Sequence, residues 1–199
     1  SRFNEQSSGE RKALITRVQK RLDDEGVRVA VDLNRGVLRL LGVDLFSSAS
    51  TRLRNPDVVR KLSQALAQES RCFVFLNDAP VSSPECKGRV GFIESIYVEG
   101  HTDSVPMRRE ERADRIESNL QLSARRASNT FELMKASSPQ LASFQNPEAQ
   151  TILSVAAYGE QRPVADNNER KGREKNRRID IRISMLQPRD EAEVEKLRG

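Results

Sequence analysis

The clearest strand in the sequence is RIDIRISM, residues 178–185, in which apolar and polar residues alternate without a break. Successive side chains of a strand point to opposite faces of a sheet, so this pattern places isoleucines and a methionine on a buried face. The other face carries Arg178, Asp180, Arg182 and Ser184 and is expected to meet water. A sheet covered by helices on one side only has this pattern.

Strands and helices are predicted in alternation upstream of this segment. Shorter apolar or alternating runs predict strands at 27–33, 37–41, 90–99 and 152–158. Helical periodicity and end signals predict helices at 10–22, at 56–69 after an Asn55 cap and at 118–135 with a Ser118 cap. Polar connections are predicted at 104–117 and 159–175, with a short helix after Pro188. The order favours an α/β (α+β sandwich) fold, a β-α-β-α-β-β mixed sheet with helices packed on one face, plus an N-terminal helix.

The N-terminal helix has a narrow apolar stripe made of Leu14, Val18 and Leu22, with Ile15 beside it. Such a stripe either packs on the domain or pairs with a second copy. We predict a spacer or dimerisation element preceded by a disordered lead at 1–9. The predicted division of the chain is therefore a linker and helix at 1–26, a domain at 27–187 and a tail at 188–199.

The charge and hydropathy of the chain restrict the classes of partner. The net charge is +5, yet basic and acidic residues are interleaved, as in Arg108-Arg109-Glu110-Glu111-Arg112, and there is no Trp. Neither a contiguous basic stripe nor aromatic stacking platforms are present, which disfavours nucleic acid. No apolar run approaches the ~20 residues of a membrane span. We expect either a cytoplasmic protein or a soluble piece whose export signal or anchor lies outside the sequence.

The only two cysteines, Cys72 and Cys86, flank a loop that contains Pro80 and Pro84. They are either unrelated thiols or a disulfide that closes a hairpin, and we predict the disulfide. Two cysteines cannot form a tetrahedral zinc site, and the single His101 is remote from them in sequence, so no metal is expected.

Charged residues at three separate places suggest a site for a zwitterion. Asp103 follows a predicted strand, Arg126 lies beside the buried stripe of a predicted helix, and Arg177 and Arg178 precede the last strand. A carboxylate holds an ammonium, and a guanidinium holds a carboxylate through two parallel hydrogen bonds. Each residue also has an ordinary structural explanation: a turn aspartate, an arginine stem along the core, or an ion pair. No nucleophile stands with a base, which argues against an enzyme.

Spaced motifs give these residues a shared context. They are Gly100-His101-Thr102-Asp103, Ser118-Asn119, Leu122-Ser123-Ala124-Arg125-Arg126-Ala127, Tyr158-Gly159-Glu160 with Pro163 and Asn167, Gly172-Arg173 and Asn176-Arg177-Arg178. Together they resemble the OmpA-like peptidoglycan-binding domain over roughly residues 36–185. The continuation Asp-Ser-Val-Pro and the Ser-Asn before the helix look nearest to the MotB branch, the B subunits of flagellar stators.

The resemblance implies non-catalytic binding of the diaminopimelate of peptidoglycan stem peptides, without a cofactor. Asp103 would hold the ligand ammonium and Arg126 a carboxylate, while Asn119, Arg177 and Thr102 complete the pocket. The resemblance also implies a periplasmic domain, a homodimer and a membrane complex held through a segment outside this chain. An extracytoplasmic location fits a Cys72–Cys86 disulfide.

Two features depart from the family pattern, and they leave alternatives open. The segment between Asp103 and Asn119 is longer than in porin- or lipoprotein-linked members, and the Cys72–Cys86 insertion is not a family hallmark. The alternatives are an outer-membrane lipoprotein or porin wall tether, or a protein-interaction module on the same fold.

Overall fold

The computed structural model describes residues 2–47, 49–108 and 115–198. The strands are β1 (Ala30–Asp32), β2 (Val37–Leu41), β3 (Phe75–Leu76), β4 (Ala79–Pro80), β5 (Ile93–His101), β6 (Leu153–Gly159) and β7 (Arg178–Met185). The helices are α1 (Arg2–Asp24), α2 (Gly42–Leu45), α3 (Pro56–Ser70), α4 (Asn119–Ser137), α5 (Pro139–Ser143), α6 (Arg170–Asn176) and α7 (Glu191–Arg198).

The main sheet has the strand order β1-β2-β7-β5-β6. β5 and β6 are parallel because α4 carries the chain back between them, and the other neighbouring pairs are antiparallel. α3 packs on α1 and α4, and α1 and α4 pack against the sheet. The predicted mixed α/β fold and its five strands are confirmed, with β1 shorter than predicted and β5 shifted towards His101.

The buried face of β7 follows the alternation of its sequence. Ile179, Ile181 and Ile183 are at most 1% exposed, and Val98 of β5 pairs in register with Ile181. Two fully buried phenylalanines, Phe73 and Phe144, lie in a core that is otherwise mostly aliphatic. Burial of these apolar side chains is the main force that holds helices and sheet together.

The polar face of β7 does not meet water as predicted. Arg178 and Asp180 are each 4% exposed. Arg39 of β2 donates to Asp180 at 3.0 Å, and Arg178 Nη2 donates to the carbonyl of Arg162 at 3.0 Å in the connection after β6. The prediction of an open face was wrong at Arg178 and Asp180, because a neighbouring strand supplies a complementary charge and a loop covers this end of β7. Arg182 and Ser184 of the same face are partly exposed.

α1 corrects the predictions for the N-terminal residues. The helix already begins at Arg2, and Phe3 is buried, so residues 2–9 are not a disordered lead. Leu14, Ile15, Val18 and Leu22 are fully buried within the common core, with α1 packed on α3. The prediction of a stripe free to pair with a second copy was therefore wrong. The division of the chain at residues 26 and 188 stays a prediction.

Glu10 of α1 also binds the segment before β5. Its carboxylate oxygens accept from the backbone N–H groups of Val90 at 3.0 Å and Gly91 at 2.8 Å. These donors would otherwise lack a partner, since they lie just outside the strand ladder. The N-terminal helix is thus joined to the sheet by polar as well as apolar contacts.

Three local predictions differ in detail from the structure. Asn55 makes no capping hydrogen bond from its side chain, although Pro56 does begin α3. On α4, helical periodicity predicts Leu120 on the apolar stripe with Ala124, Ala127, Phe131 and Met134, but Leu120 is 51% exposed and Leu122 is buried. The predicted loop at 159–175 contains the start of α6.

The Cys72–Cys86 disulfide is present, with a Cα–Cα distance of 4.9 Å, which confirms that prediction. It joins the end of α3 to a turn before β5, beside the small β3–β4 hairpin. Among the residues that the structure describes, no helix has the length and apolar character needed to cross a membrane.

Candidate functional site

A close approach of β5 to α4 fixes the position of Asp103. A Cβ on Gly100 would lie 2.2 Å from the carbonyl oxygen of Ser123, so only glycine allows the strand to pass the helix here. Beyond the strand, the N–H of Thr102 donates to the carbonyl of Gly159 at 2.8 Å. Thr102 and Asp103 are consequently buried at the carboxyl end of the strand.

The start of α4 is capped as the sequence predicted, and it binds the segment after Asp103. The N–H of Gln121 donates to Ser118 Oγ at 3.1 Å. Asn119 donates through its side-chain amide to the backbone carbonyls of Asp103 at 3.3 Å and Val105 at 3.0 Å. Asn119 therefore shapes the wall of the site by holding its backbone.

The carboxylate of Asp103 has two protein partners. Oδ2 accepts from Arg177 Nη1 at 2.5 Å, and Oδ1 accepts from the N–H of Val105 at 2.9 Å. A carboxylate has about four lone-pair positions, so it retains acceptor capacity for a third donor. Arg178, in contrast, pairs with Asp180 on the polar face of β7 and does not line the cleft.

Arg126 is buried, and its guanidinium makes few hydrogen bonds to the described part of the protein. It is 7% exposed, donates from Nε to the carbonyl of Ser50 at 2.9 Å and lies 4.9 Å from the centre of the Phe46 ring. The pKa of Arg126 is lowered to about 10, mainly by burial and also by the nearby charge of Arg177, while the charge of Asp103 opposes the shift. Arg126 stays cationic at neutral pH and, among the described residues, has no carboxylate within ion-pair distance.

All five predicted binding residues line one cleft of about 490 Å³. Thr102 and Asp103 come from the end of β5, Asn119 and Arg126 from α4, and Arg177 from the end of α6. The cleft presents a carboxylate, guanidiniums and backbone groups but, among its described residues, no His or Cys. Such a set can recognise charged groups of a ligand through charge-assisted hydrogen bonds.

Sequence reasoning missed the wall of the cleft formed by residues 42–54. Gly42, Val43, Phe46 and Arg54 line it, together with Ser47 and Ala49. Ala49 has a φ of 52°, in the left-handed region, and turns the chain just before the Ser50 carbonyl that accepts from Arg126. No motif marks this segment; its link to the site is the contact of Phe46 with Arg126, which only the structure provides.

His101, part of the strand motif, lies outside the cleft on the opposite side of the sheet. Its ring stacks on Tyr158 with centroids 5.1 Å apart and is 5% exposed as a residue. Burial, aided by the charge of Arg178, lowers the pKa of His101 to about 4. His101 is therefore neutral at pH 7 and belongs to the polar face, not to ligand contact.

Sequence comparisons find a family match for the part of the chain that carries the predicted binding residues. Residues 90–177, which include all five predicted binding residues, match the OmpA family. Motility protein B of Bacillus subtilis (strain 168) is 35% identical over 101 residues, which cover 50% of this chain and 33% of that protein. The match thus spans about a third of the length of that relative.

Solved structures with a similar fold include proteins named for cell-wall anchoring and motility. The cell wall anchor of the T6SS from Pseudomonas aeruginosa is 26% identical, with 83% of this chain and 94% of that chain covered and a TM-score of 0.56. A MotB-like protein from Desulfovibrio vulgaris has 17% identity, coverage of 95% and 99%, and a TM-score of 0.62.

The periplasmic domain of Helicobacter pylori MotB has 21% identity, coverage of 81% and 82%, and a TM-score of 0.52. At identities of 17% and 21%, the two MotB structures support the fold alone. The sequence match and the fold agree: residues 90–177 of this chain match the OmpA family, and the fold is similar to that of the MotB structures.

Proposed function

We propose that this chain binds peptidoglycan through the diaminopimelate of its stem peptides and so anchors a membrane complex to the cell wall. The observation that carries the proposal is the convergence of Asp103, Arg126, Asn119, Arg177 and Thr102 on one cleft. These residues come from motifs up to 75 positions apart in the sequence, the separation between Thr102 and Arg177.

The cleft has the charges that a zwitterionic ligand group requires. The ligand ammonium binds the free acceptor positions of Asp103, and an adjacent carboxylate binds the guanidinium of Arg126. Both residues are at least nine-tenths buried, so a ligand group that reaches them leaves water. Charge-assisted hydrogen bonds in such a site are stronger than those at an exposed surface.

The cell-wall setting rests on the relatives. The Pseudomonas structure is named a cell wall anchor, and the Bacillus relative is a motility protein. We infer a periplasmic domain of a membrane-anchored, MotB-like stator protein that works as a homodimer, with the anchor in a segment outside this chain. Binding alone serves this role, and no catalytic step is required.

Sedimentation with purified sacculi tests the proposal. The chain should pellet with sacculi that contain diaminopimelate, and free diaminopimelate should compete. Sacculi with lysine at the same position are the matched control, since lysine has the side-chain ammonium but lacks the second carboxylate. Equal binding to both kinds of sacculi contradicts the pairing of Arg126 with that carboxylate. No binding to either kind contradicts the proposed function.

A further inference from the structure

Arg54 is a cation of the cleft that the family motifs do not include. The segment that carries it folds back on itself, with Phe46 bridged to Leu53 and the N–H of Arg54 bonded to the carbonyl of Leu45 at 2.7 Å. Arg54 Nη2 donates to the carbonyl of Val43 at 2.6 Å. One edge of the guanidinium is thereby fixed, while the side chain remains exposed at the wall of the cleft.

The charges that line the cleft do not balance. Its described charged residues are Asp103, Arg54, Arg126 and Arg177, and only Arg177 has a carboxylate partner, which is Asp103. Neither Arg54 nor Arg126 lies within ion-pair distance of a carboxylate among the described residues. A ligand with one ammonium and one carboxylate would leave the net positive charge of the cleft unchanged.

We propose that Arg54 binds a second carboxylate, so that the cleft selects a peptide with at least two carboxylates beside its ammonium. This inference rests on the proposed function and extends it to the substrate class. Arg126 binds the carboxylate next to the ammonium, and Arg54 binds one that lies farther along the peptide. A guanidinium held on one edge by a backbone carbonyl still offers a planar pair of N–H donors.

The competing explanation is that Arg54 only fastens the 42–55 segment through Val43. An exposed arginine often contributes little to affinity, because water screens its charge. The two explanations differ in what they predict for ligands: a fastening residue is indifferent to the number of carboxylates on the peptide. A carboxylate-binding residue loses its effect when that carboxylate is amidated.

The experiment uses calorimetric titration of the 199-residue chain with three synthetic peptides. The first is L-alanyl-γ-D-glutamyl-meso-diaminopimelate with free carboxylates. The second is amidated at the α-carboxylate of D-glutamate. The third is amidated at the diaminopimelate carboxylate that is not adjacent to the free ammonium. The wild-type chain should bind one of the amidated peptides about tenfold more weakly than the free peptide, a loss typical of one charge-assisted pair.

Substitution of Arg54 should abolish that discrimination. Arg54→Gln should bind the free peptide about tenfold more weakly and should bind the sensitive amidated peptide as the wild type does. Arg52→Gln removes an exposed arginine on the same segment that does not line the cleft, and should behave as wild type. Arg54→Lys keeps the charge and should retain part of the discrimination, because one ammonium replaces the fork.

The outcomes separate this inference from the proposed function. If the wild type binds all three peptides equally, or Arg54→Gln still discriminates, the second carboxylate site is wrong and the proposed function stands. If Arg54→Gln and Arg54→Lys both lose every peptide along with thermal stability, Arg54 is a structural residue and the inference is wrong. If the wild type binds no peptide, both this inference and the proposed function are wrong.

Discussion

Asp103 and Arg126 enter the cleft from different elements, and each is more than nine-tenths buried. We expect Asp103→Ala and Arg126→Ala each to remove most binding to diaminopimelate-type sacculi while the fold stays intact. Loss of one partner leaves an opposite charge unpaired in the complex, which costs about 2–5 kcal/mol. Arg177→Ala should have a smaller effect, since its partner Asp103 remains. Co-sedimentation and far-UV circular dichroism measure binding and fold.

Arg125→Ala is the matched control for Arg126→Ala. Arg125 precedes Arg126 on α4 but is exposed and does not line the cleft. The Arg125→Ala variant should pellet with sacculi like the wild type. If both cleft variants also pellet like the wild type, the assignment of the site is wrong.

Because His101 is buried and its pKa is lowered, we expect the stability of the folded protein to depend on pH. Its pKa falls from 6.5 to about 4 in the folded protein because of burial, so the unfolded chain binds more protons between these values. The free energy of unfolding should therefore decrease as the pH falls from 6.5 to 4, by at most about 3 kcal/mol from this residue.

His101→Phe isolates this contribution. Both ring nitrogens of His101 are buried without a hydrogen-bond partner among the described residues, so phenylalanine loses no such bond and keeps the ring on Tyr158. Urea unfolding at a series of pH values should show a flatter profile for the variant over that range. An unchanged profile would mean that other groups cause the acid dependence.

At the scale of elements, local patterns predict strands and helix starts because they are set by neighbouring residues. β7 alternates without a break, and Ser118 caps α4 through Gln121. The same patterns do not reveal what covers an element. The sequence of β7 cannot show that Arg39 comes from another strand to pair with Asp180. The stripe of α1 likewise cannot show that α3 and the sheet bury it.

Because α1 lies in the core, we expect its apolar residues to determine the stability of the domain. Leu14→Ala should lower the free energy of unfolding by about 2–5 kcal/mol, since it leaves a cavity at a fully buried position. Lys20→Ala, on the exposed side of the same helix, should change it little. Chemical denaturation measures both. Equal, small effects would mean that α1 is not part of the cooperative unit.

The Cys72–Cys86 disulfide closes a loop at the far end of α3, and neither cysteine lines the cleft. Replacing both cysteines by serine should reduce stability by roughly 3 kcal/mol in the loop-entropy model. Affinity for sacculi should not change. Thermal unfolding and sedimentation of the double variant are the measurements. A loss of binding by a folded double variant would link this insertion to the site.

At the scale of the whole molecule, the sequence predicts residues that come together in the cleft, but it does not predict the wall of the cleft that comes from the chain's N-terminal half. Asp103, Arg126 and Arg177 were identified because their motifs match a family pattern in order and spacing. The wall at 42–54 has no such pattern, and it joins the cleft through long-range contacts such as Asn129 to the carbonyl of Thr51. Contacts of this kind depend on the completed fold. The segment predicted as an inserted loop at 104–117 includes residues 109–114, which lie outside the described residues.

Association between copies of the chain depends on which apolar surface the whole molecule leaves exposed. The apolar stripe of α1 is buried, so the proposed homodimer must use another surface. The exposed large apolar residues among those described are Val43, Val105, Leu120, Val155 and Val164. Two of these, Val43 and Val105, line the cleft, whereas a stable interface buries roughly 800 Å² per partner. We therefore expect the proposed homodimer to depend on the segment outside this chain, and the 199-residue chain alone to sediment as a monomer at micromolar concentration in analytical ultracentrifugation. A stable dimer of the 199-residue chain would contradict this account, because it would require an interface surface on the described domain.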